Sequence, residues 1–308
     1  MLAGQGGIAE NVGRSQARLA VMSAPIQRYI LTIVCPDTTG LVAAVSGYLR
    51  DCGCFIESSN QFGDLDTKRF FMRAVFEIGP ESRPADRVIG EFAAVAAPFK
   101  MDWKIYPAAE KPRVSIAVSK FGHCLNDLLH RWKAGQLPID VVSVVSNHED
   151  MRSLVEWHKI PFHFLPVTAA TKAAQENKWR EIIAAERVEL TVLARYMQVL
   201  SDQMCTALSG RCINIHHSFL PSFKGAKPYH QAFERGVKII GATAHYVTAN
   251  LDEGPIIEQA VERVDHSHAA SDLVAIGQDL ENVVLARAVR YHAERRVLLN
   301  GTKTVVFR

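Results

Sequence analysis

A short β-strand that ends in polar side chains is predicted by the stretch Ile213-Asn-Ile-His-His-Ser-Phe-Leu-Pro221. Side chains two residues apart on a strand point to the same face of its sheet. Asn214 and His216 are therefore expected side by side, while Ile213 and Ile215 face the layer behind. Ligands bind at the carboxyl edge of the strands in open α/β sheets. The stretch thus predicts a parallel sheet with a site at this edge.

The sequence on both sides of this stretch alternates short β-rich runs with helical stretches. Strands are predicted at 114–119, 141–145, 162–166, 190–193 and 213–215, and helices at 124–133, 172–187, 231–235 and 270–296. Strands that alternate with helices indicate a mostly parallel sheet covered on both faces. Residues 113–308 are accordingly predicted to form one α/β domain.

A smaller α+β unit is predicted before it, at residues 28–106. Strands at 29–34, 55–62, 70–78 and 99–106 and helices after Gly40 and at 85–97 follow the order β-α-β-β-α-β, which is the ferredoxin-like arrangement. Residues 1–27 are expected to be a poorly ordered extension. Residues 107–112, with a proline at each end, are expected to be a linker.

Composition excludes several functional classes. The 308 residues suit two domains, and 48% of them are hydrophobic. The 35 basic and 32 acidic residues leave a net charge of only +3, so neither nucleic acid nor a membrane surface is an expected partner. No apolar run is long enough to span a membrane, and no secretory signal is seen. Six scattered cysteines favour reduced thiols in the cytoplasm. Asn147-His-Glu-Asp150 has the spacing of no common metal site, so no metal is expected.

A second group of polar residues lies in Thr248-Ala-Asn-Leu-Asp-Glu-Gly-Pro255, where Asp252 precedes a Gly-Pro turn. A loop carboxylate that faces a strand-end imidazole is a usual acid/base arrangement. Taken singly, however, each of these residue types also serves as a cap, a turn former or a buried structural histidine, so spacing alone leaves both roles open. His217 and His230 are expected to be structural or secondary.

Longer motifs resemble a known family. Four stretches resemble the catalytic core of the formyltransferase family, which uses 10-formyltetrahydrofolate. They are Asn214-Ile-His216, His217-Ser-Phe-Leu-Pro221, Gly241-Ala-Thr-Ala-His245 and Leu251-Asp-Glu-Gly-Pro255. Over 28–308 the chain resembles the deformylase branch of that family more closely. The stretches that carry this second resemblance are Cys35-Pro-Asp37, Gly40-Leu-Val-Ala-Ala-Val45, Phe70-Phe-Met-Arg73, Ser119-Lys-Phe-Gly-His-Cys-Leu125, Leu193-Ala-Arg-Tyr-Met-Gln-Val-Leu-Ser201 and 214–259.

The resemblance implies an N-terminal ACT domain and a Rossmann-like formyltransferase domain. It implies hydrolysis of 10-formyltetrahydrofolate to tetrahydrofolate and formate, which would supply purine biosynthesis and balance the one-carbon folate pool, without a cofactor. The implied catalytic residues are Asn214, His216 and Asp252. The residues implied to line the folate pocket are Met197, Gln198, Val199, Leu200, Val247, Thr248, Ala249, Asn250 and Leu251.

The resemblance also implies a ligand loop in the ACT domain, at Asp37, Thr38, Thr39 and Gly40. Methionine or glycine is the implied effector, and the chain is expected to be a homo-oligomer. Thr38 and Thr39 stand where a charged pair is expected in this turn, which bears on the choice of ligand and not on the fold.

Three other functions stay open: formyl transfer to an amine such as glycinamide ribonucleotide, formyl transfer to methionyl-tRNA, and a regulatory protein that only binds folate and amino acids. The ACT-like unit disfavours the transferases, and the intact set of Asn214, His216 and Asp252 disfavours the regulator. A nucleotide acceptor also needs a phosphate cradle after the first strand of the α/β domain. Phe121 and His123 are expected to crowd that place.

Overall fold

The computed structural model of the chain describes residues 26–220 and 228–308. The chain divides into two compact units between Ala109 and Glu110. Of the predicted extension 1–27, only Ile26 and Gln27 lie within the described residues, and Gln27 already belongs to the first strand.

The first unit is a four-stranded antiparallel sheet with two helices. Its elements are β1 (Gln27–Pro36), α1 (Leu41–Asp51), β2 (Phe55–Asp64), β3 (Arg69–Ile78), α2 (Ala85–Ala96) and β4 (Asp102–Pro107), with the strand order β2-β3-β1-β4. Both helices bury an apolar stripe, such as Val45 and Leu49 of α1 and Phe92 of α2, in one core with β1 and β3. The predicted ferredoxin-like order is confirmed.

The last strand of this unit begins later than predicted, at Asp102 instead of residue 99. A short 3-10 turn, Ala97–Phe99, follows α2 and contains Pro98. Lys100 then adopts a left-handed conformation with φ of 52°. These two features redirect the chain before extended pairing can start.

The second unit contains a seven-stranded, mostly parallel sheet. Its elements are β5 (Arg113–Val118), α3 (His123–Lys133), β6 (Asp140–Ser146), α4 (Arg152–Trp157), β7 (Phe162–Phe164), α5 (Lys172–Ala185), β8 (Leu190–Leu193), α6 (Asp202–Ala207), β9 (Cys212–His216), α7 (Pro228–Glu234), β10 (Ile239–Tyr246), β11 (Ile256–Arg263) and α8 (Ala270–Ala293), followed by a hairpin of β12 (Val297–Asn300) and β13 (Lys303–Val306). The strand order is β11-β10-β9-β8-β5-β6-β7. The five strands from β9 to β7 are parallel, and the predicted Rossmann-like sheet is confirmed.

Apolar layers cover both faces of this sheet. Ile213 and Ile215 pack on one face with residues of α3 and α8, such as Leu128 and Val284. Trp179 of α5 is fully buried against the opposite face. The predicted division of β9 is therefore correct, since its isoleucines enter one core and the alternate positions 214 and 216 face the other side.

The order of the strands creates a cleft. From β5 the chain runs outward through β6 and β7, and then returns to build β8 and β9 on the other side of β5. The loops after β5 and β8 therefore diverge, which is where open α/β sheets bind ligands.

Several elements of the second unit were absent from the sequence prediction: the antiparallel strands β10 and β11, the final hairpin and the short helices α4 and α6. The last long helix also ends at Ala293 and not at 296, because Arg295 adopts φ of 55° and turns the chain into β12. Across the described residues, none of the helices has both the length and the apolar character that a membrane crossing requires.

Candidate active site

A cavity of about 290 Å³ opens at the carboxyl ends of β8 and β9. Three segments far apart in sequence form it: the loop after β8, the end of β9 and the loop between β10 and β11. The residues that line it are Leu193, Arg195, Tyr196, Met197, Gln198, Val199, Leu200, Cys205, Asn214, Ile215, His216, His217, His245, Val247, Thr248, Ala249, Leu251 and Asp252. Every residue implied for the site in this unit is in the list except Asn250.

The imidazole of His216 is held by Asp252. The distance from His216 Nδ1 to Asp252 Oδ2 is 3.2 Å, and His216 is only 5% exposed. Its other ring nitrogen, Nε2, is buried and has no hydrogen-bond partner among the described residues. A buried polar atom normally has a partner. His216 Nε2 is thus available to a molecule in the cavity.

The Asp252 carboxylate is stabilised in its ionised form. Burial opposes ionisation, but the hydrogen bond from His216 and the nearby ring of His245 outweigh it and hold the pKa of Asp252 well below its usual range. Asp252 also has a left-handed backbone, with φ of 56°. Strained conformations of non-glycine residues are concentrated at functional sites.

His245 is a member of the site that the sequence prediction missed. It pairs with Asn214 across β9 and β10, and its Nε2 lies 3.3 Å from Asn214 Nδ2 and 3.7 Å from Asp252 Oδ1. Its Nδ1 lies 2.9 Å from the Tyr246 carbonyl oxygen, which accepts hydrogen bonds only. Nδ1 therefore carries the proton, and in the neutral ring Nε2 accepts a hydrogen bond from the Asn214 amide and fixes its orientation.

The loop between β10 and β11 is anchored at the end of β10 and to β9. Tyr246 N–H donates to the Pro255 carbonyl over 2.9 Å, and Val247 N–H donates to the Cys212 carbonyl over the same distance. A Cβ atom at Gly254 would overlap the Tyr246 carbonyl oxygen. Only glycine permits this close approach, which brings Asp252 over the end of β9.

The loop after β8 supplies the apolar wall of the cavity. Met197 and Val199 are about half exposed, while Leu200 is buried. Met197 N–H donates to the Ser119 hydroxyl over 3.0 Å, which ties this loop to the turn after β5. The wall therefore presents apolar side chains and backbone groups, a combination suited to a flat ring with polar edges.

The two histidines expected to be structural or secondary lie in different places. His217 lines the cavity, with its ring centroid 5.2 Å from that of His216. Burial and the charges of Arg195 and His216 lower the pKa of His217 to about 4. His230 is exposed and is not part of the cavity wall.

The residues implied for the ACT ligand loop lie in the first unit. Asp37, Thr38, Thr39 and Gly40 are all exposed, and Gly40 has φ of 95° at the start of α1. Among the described side chains, none caps this helix start. A Cβ atom at Gly63 would lie 2.7 Å from Asp37 Oδ2, so the Asp37 carboxylate lies against the backbone of β2.

Among the described residues, one group has the composition and spacing for a metal ion: His123, Cys124 and Glu281. Its donors are already in use or unsuited. His123 Nε2 lies 2.8 Å from Glu281 Oε2, and Tyr229 donates to Glu281 Oε1 over 2.9 Å. Burial and the Glu281 charge raise the pKa of the Cys124 thiol, whereas a metal binds the thiolate.

Comparisons with known proteins identify the family of the chain. A family model described as formyl transferase matches residues 112–289. A formyltetrahydrofolate deformylase of Corynebacterium sp. (strain P-1) is 53% identical over 91% of this chain and 98% of its own length. The crystal structure of a formyltetrahydrofolate deformylase from Burkholderia mallei has a TM-score of 0.88 and 52% identity, covering 92% of this chain and 100% of that one.

A more distant solved structure matches about two thirds of the chain. Glycinamide ribonucleotide transformylase 1 from Symbiobacterium toebii has a TM-score of 0.61 and 31% identity, covering 64% of this chain and 95% of its own. The family match spans more than half of this chain, and the deformylases match almost all of it. The chain therefore belongs to the formyl transferase family and, within it, to the formyltetrahydrofolate deformylases.

Proposed function

We propose that this chain hydrolyses 10-formyltetrahydrofolate to tetrahydrofolate and formate. The observation that carries the proposal is the buried Nε2 of His216, which has no hydrogen-bond partner among the described residues. His216 lines the same cavity as Asn214, and the ionised Asp252 carboxylate lies against the other nitrogen of its ring. This arrangement suits a reaction in which negative charge develops on an oxygen. Membership of the deformylase family supports the choice of substrate.

The mechanism follows from the chemistry of a formamide. Water adds to the formyl carbon, the bond from that carbon to N10 breaks, and N10 takes up a proton. In the tetrahedral intermediate the formyl oxygen carries the charge, and the Asn214 amide and the protonated ring of His216 donate to it. Loss of one such donor typically costs about 10²–10³ in turnover.

Asp252 has two tasks in this scheme. Its charge stabilises the imidazolium of His216, from which it is 3.2 Å away. It also orients the attacking water or accepts a proton from it. Side chains supply every group that the scheme needs, so it requires neither a metal nor an organic cofactor.

The folate pocket is proposed to consist of Met197, Gln198, Val199, Leu200, Val247, Thr248, Ala249, Asn250 and Leu251. All but Asn250 line the cavity. Asn250 contributes through its backbone, since its carbonyl accepts a hydrogen bond from the Thr248 hydroxyl over 3.1 Å. The apolar side chains would contact the faces of the pterin, and backbone groups would bind its polar edge.

The decisive experiment is incubation of the purified chain with 10-formyltetrahydrofolate and no acceptor. Formate and tetrahydrofolate are expected in equal amounts. Product that appears only after an amine is added would show a transferase instead. Binding of the folate without turnover would show a regulatory protein.

The first unit is proposed to be an ACT domain that binds methionine or glycine at Asp37, Thr38, Thr39 and Gly40. The backbone N–H groups at the start of α1, which no described side chain caps, suit a carboxylate, and Asp37 suits an ammonium group. Such sites in ACT domains form where two units pair, so the proposal includes a homo-oligomer. Calorimetric titration with each amino acid and light scattering test it. No heat from either ligand together with a monomeric mass would refute both parts.

The cellular role follows from the proposed reaction. Formate would supply purine biosynthesis and the reaction would balance the one-carbon folate pool in the cytoplasm. The six cysteines are unpaired and five of them are buried, which suits a reducing compartment.

A further inference from the structure

Arg195 is a residue of the cavity wall to which the proposed mechanism assigns no task. It lies two residues beyond the end of β8 and adopts φ of 63°, a left-handed conformation that costs free energy for any residue except glycine. Its side chain is only 10% exposed, and it lines the same cavity as Asn214 and His216. The protein thus holds a large cation in an unfavourable backbone conformation beside the reacting groups.

The Arg195 guanidinium lies against a buried carboxylate. Its Nε is 3.4 Å from Glu281 Oε2, an ion-pair contact without a hydrogen bond, and Glu281 is 1% exposed. The guanidinium carbon also lies 5.6 Å from the centre of the Phe121 ring. Burial opposes the ionisation of Glu281, but the hydrogen bond from His123 and the charge of Arg195 outweigh it and lower the pKa of Glu281, so this residue is an anion at neutral pH.

Glu281 joins three elements around Arg195. His123 at the start of α3 and Tyr229 of α7 both bind its carboxylate, at 2.8 Å and 2.9 Å. Tyr229 packs so closely on α8 that a Cβ atom at Gly277 would overlap its ring. We call Arg195, Glu281, His123 and Tyr229 the acceptor-side cluster.

The cluster continues to the reacting groups. The ring of Tyr229 packs edge-on against His217, and His217 packs against His216. At its other end the cluster reaches the turn from β5 to α3, through His123 and through the 3.2 Å hydrogen bond from Ser119 N–H to the Arg195 carbonyl. In a parallel α/β fold that turn and helix start are where a phosphate binds.

The cluster therefore occupies the path between the reacting groups and the place for a phosphate. A phosphorylated acceptor would have to displace Phe121 and Arg195, and its anion would come to lie near the buried charge of Glu281. The related transformylase from Symbiobacterium toebii is named for a ribonucleotide acceptor and shares the fold of this unit. A difference in acceptor must then arise from side chains and not from the fold.

We propose that Arg195, held by Glu281, determines the acceptor: it closes the cavity to amines that carry a phosphate and leaves room for water. This inference rests on the proposed function. In the reaction that it prevents, the bond from the formyl carbon to N10 breaks, a bond from that carbon to the amine nitrogen forms, and a proton moves from the amine to N10.

The test is the partition of the formyl group in the variant Arg195→Gly, since glycine is the residue that suits φ of 63°. Formate and the N-formylated amine are measured from 10-formyltetrahydrofolate with millimolar O-phosphoethanolamine, a small primary amine that carries a phosphate. The ratio of formylated amine to formate is expected to rise at least about tenfold over the wild type, a range typical of altered pocket contacts. Arg187→Gly is the matched control, because Arg187 also has a left-handed backbone, φ of 51°, but is exposed and outside the cavity. Its ratio is expected to equal that of the wild type.

Thermal denaturation shows whether Arg195→Gly is folded. If it is not, two further measurements test the proposal. The double variant Arg195→Gly, Glu281→Gln removes the unpaired buried charge and is expected to show the same raised ratio. Ribose 5-phosphate, as a probe for a phosphorylated acceptor, is expected not to inhibit the wild type. An unchanged ratio in a folded variant, or competitive inhibition of the wild type by this probe, would overturn the proposal. A wild type that releases no formate without an amine would instead refute the proposed hydrolysis.

Discussion

At the scale of single residues, Asp252 combines an ionised carboxylate with a position behind the His216 ring. Asp252→Asn keeps the size of the side chain but removes the charge that stabilises the imidazolium. We expect kcat for formate release to fall by at least about 10², with KM largely unchanged, because the lost interaction acts mainly in the transition state. Steady-state kinetics of the purified variant test this.

A second pair of aspartate and histidine provides the control. His268 Nδ1 lies 3.1 Å from Asp265 Oδ1, and hydrogen bonds from Ser267, together with the neighbouring His268, lower the pKa of Asp265 to about 2. It lies on an exposed turn outside the cavity. Asp265→Asn is expected to keep wild-type turnover. Wild-type turnover in Asp252→Asn would contradict the role proposed for Asp252.

Local periodicity predicted some of these residues and not others. Asn214 and His216 could be placed on one face because they are two apart on a single strand. His245 could not, because its place next to Asn214 depends on the antiparallel register of β9 and β10, which no local pattern encodes. The motif Gly241-Ala-Thr-Ala-His245 could have pointed to His245. Because no strand was predicted there, the direction of the His245 side chain could not be inferred.

At the scale of elements, the loop between β10 and β11 carries Asp252 and is held down at Gly254. In Gly254→Ala the new methyl group would overlap the Tyr246 carbonyl oxygen, and it would also approach His245 Nδ1 to 3.1 Å. We expect the loop to move away from β9. The free energy of unfolding should fall by about 1–3 kcal/mol, as is usual for overpacking. Displacement of Asp252 should lower kcat/KM at least about tenfold.

Gly79→Ala is the control for this substitution. Within the part of the chain that the structure describes, a Cβ atom at Gly79 meets nothing within 4 Å, and the residue lies in the first unit. Urea denaturation and steady-state kinetics should show both quantities unchanged there. If Gly254→Ala also left both unchanged, the close approach of the loop would not be needed for activity.

The elements that the sequence did not predict share a physical cause. In β10, the run Ile239-Ile-Gly-Ala-Thr-Ala-His-Tyr246 is rich in small residues and buried on both faces from Ile240 onward, so it shows neither alternation nor strong β propensity. Tertiary pairing with β9 and β11 decides its structure. The parallel strands were predictable because their apolar runs are bounded by helices with clear periodicity.

At the scale of the whole molecule, the cavity forms because the sheet reverses its direction of growth at β5. The alternation of strands and helices could be predicted from local patterns, and with it the edge at which the site lies. The distances between segments near residues 195, 216 and 252 could not, since these follow from the packing of loops that begin on different strands. Arg195 was overlooked for the same reason: its partner Glu281 is on the last long helix.

Histidines with a lowered pKa, His158, His217 and His292, make the stability of the second unit depend on pH. Burial and neighbouring cationic groups lower the pKa of His217 and of His292 to about 4, whereas a histidine in an unfolded chain titrates near 6.5. Between these values the unfolded chain binds protons that the folded chain does not. The free energy of unfolding should therefore fall as pH decreases from about 6.5 to 4, by up to about 1.4 kcal/mol per pH unit for each histidine.

Urea denaturation at several pH values between about 7.5 and 4.5 measures this slope, and one variant isolates the contribution of His292. His292 Nδ1 lies 2.7 Å from the Tyr246 hydroxyl, so His292→Gln retains a polar partner for that group while removing the titration. The slope between about pH 6.5 and 4.5 should decrease by roughly a third to a half in His292→Gln, since burial also lowers the pKa of His158, and stay unchanged in the control His266→Gln, which alters an exposed histidine. The lowered pKa values of Asp252 and Glu281 contribute stability that is lost only below about pH 4.5, as their carboxylates take up protons, and so do not affect this window. Equal slopes in all three proteins would show that His292 titrates alike in the folded and unfolded chains, and that its burial does not govern the acid sensitivity of the molecule.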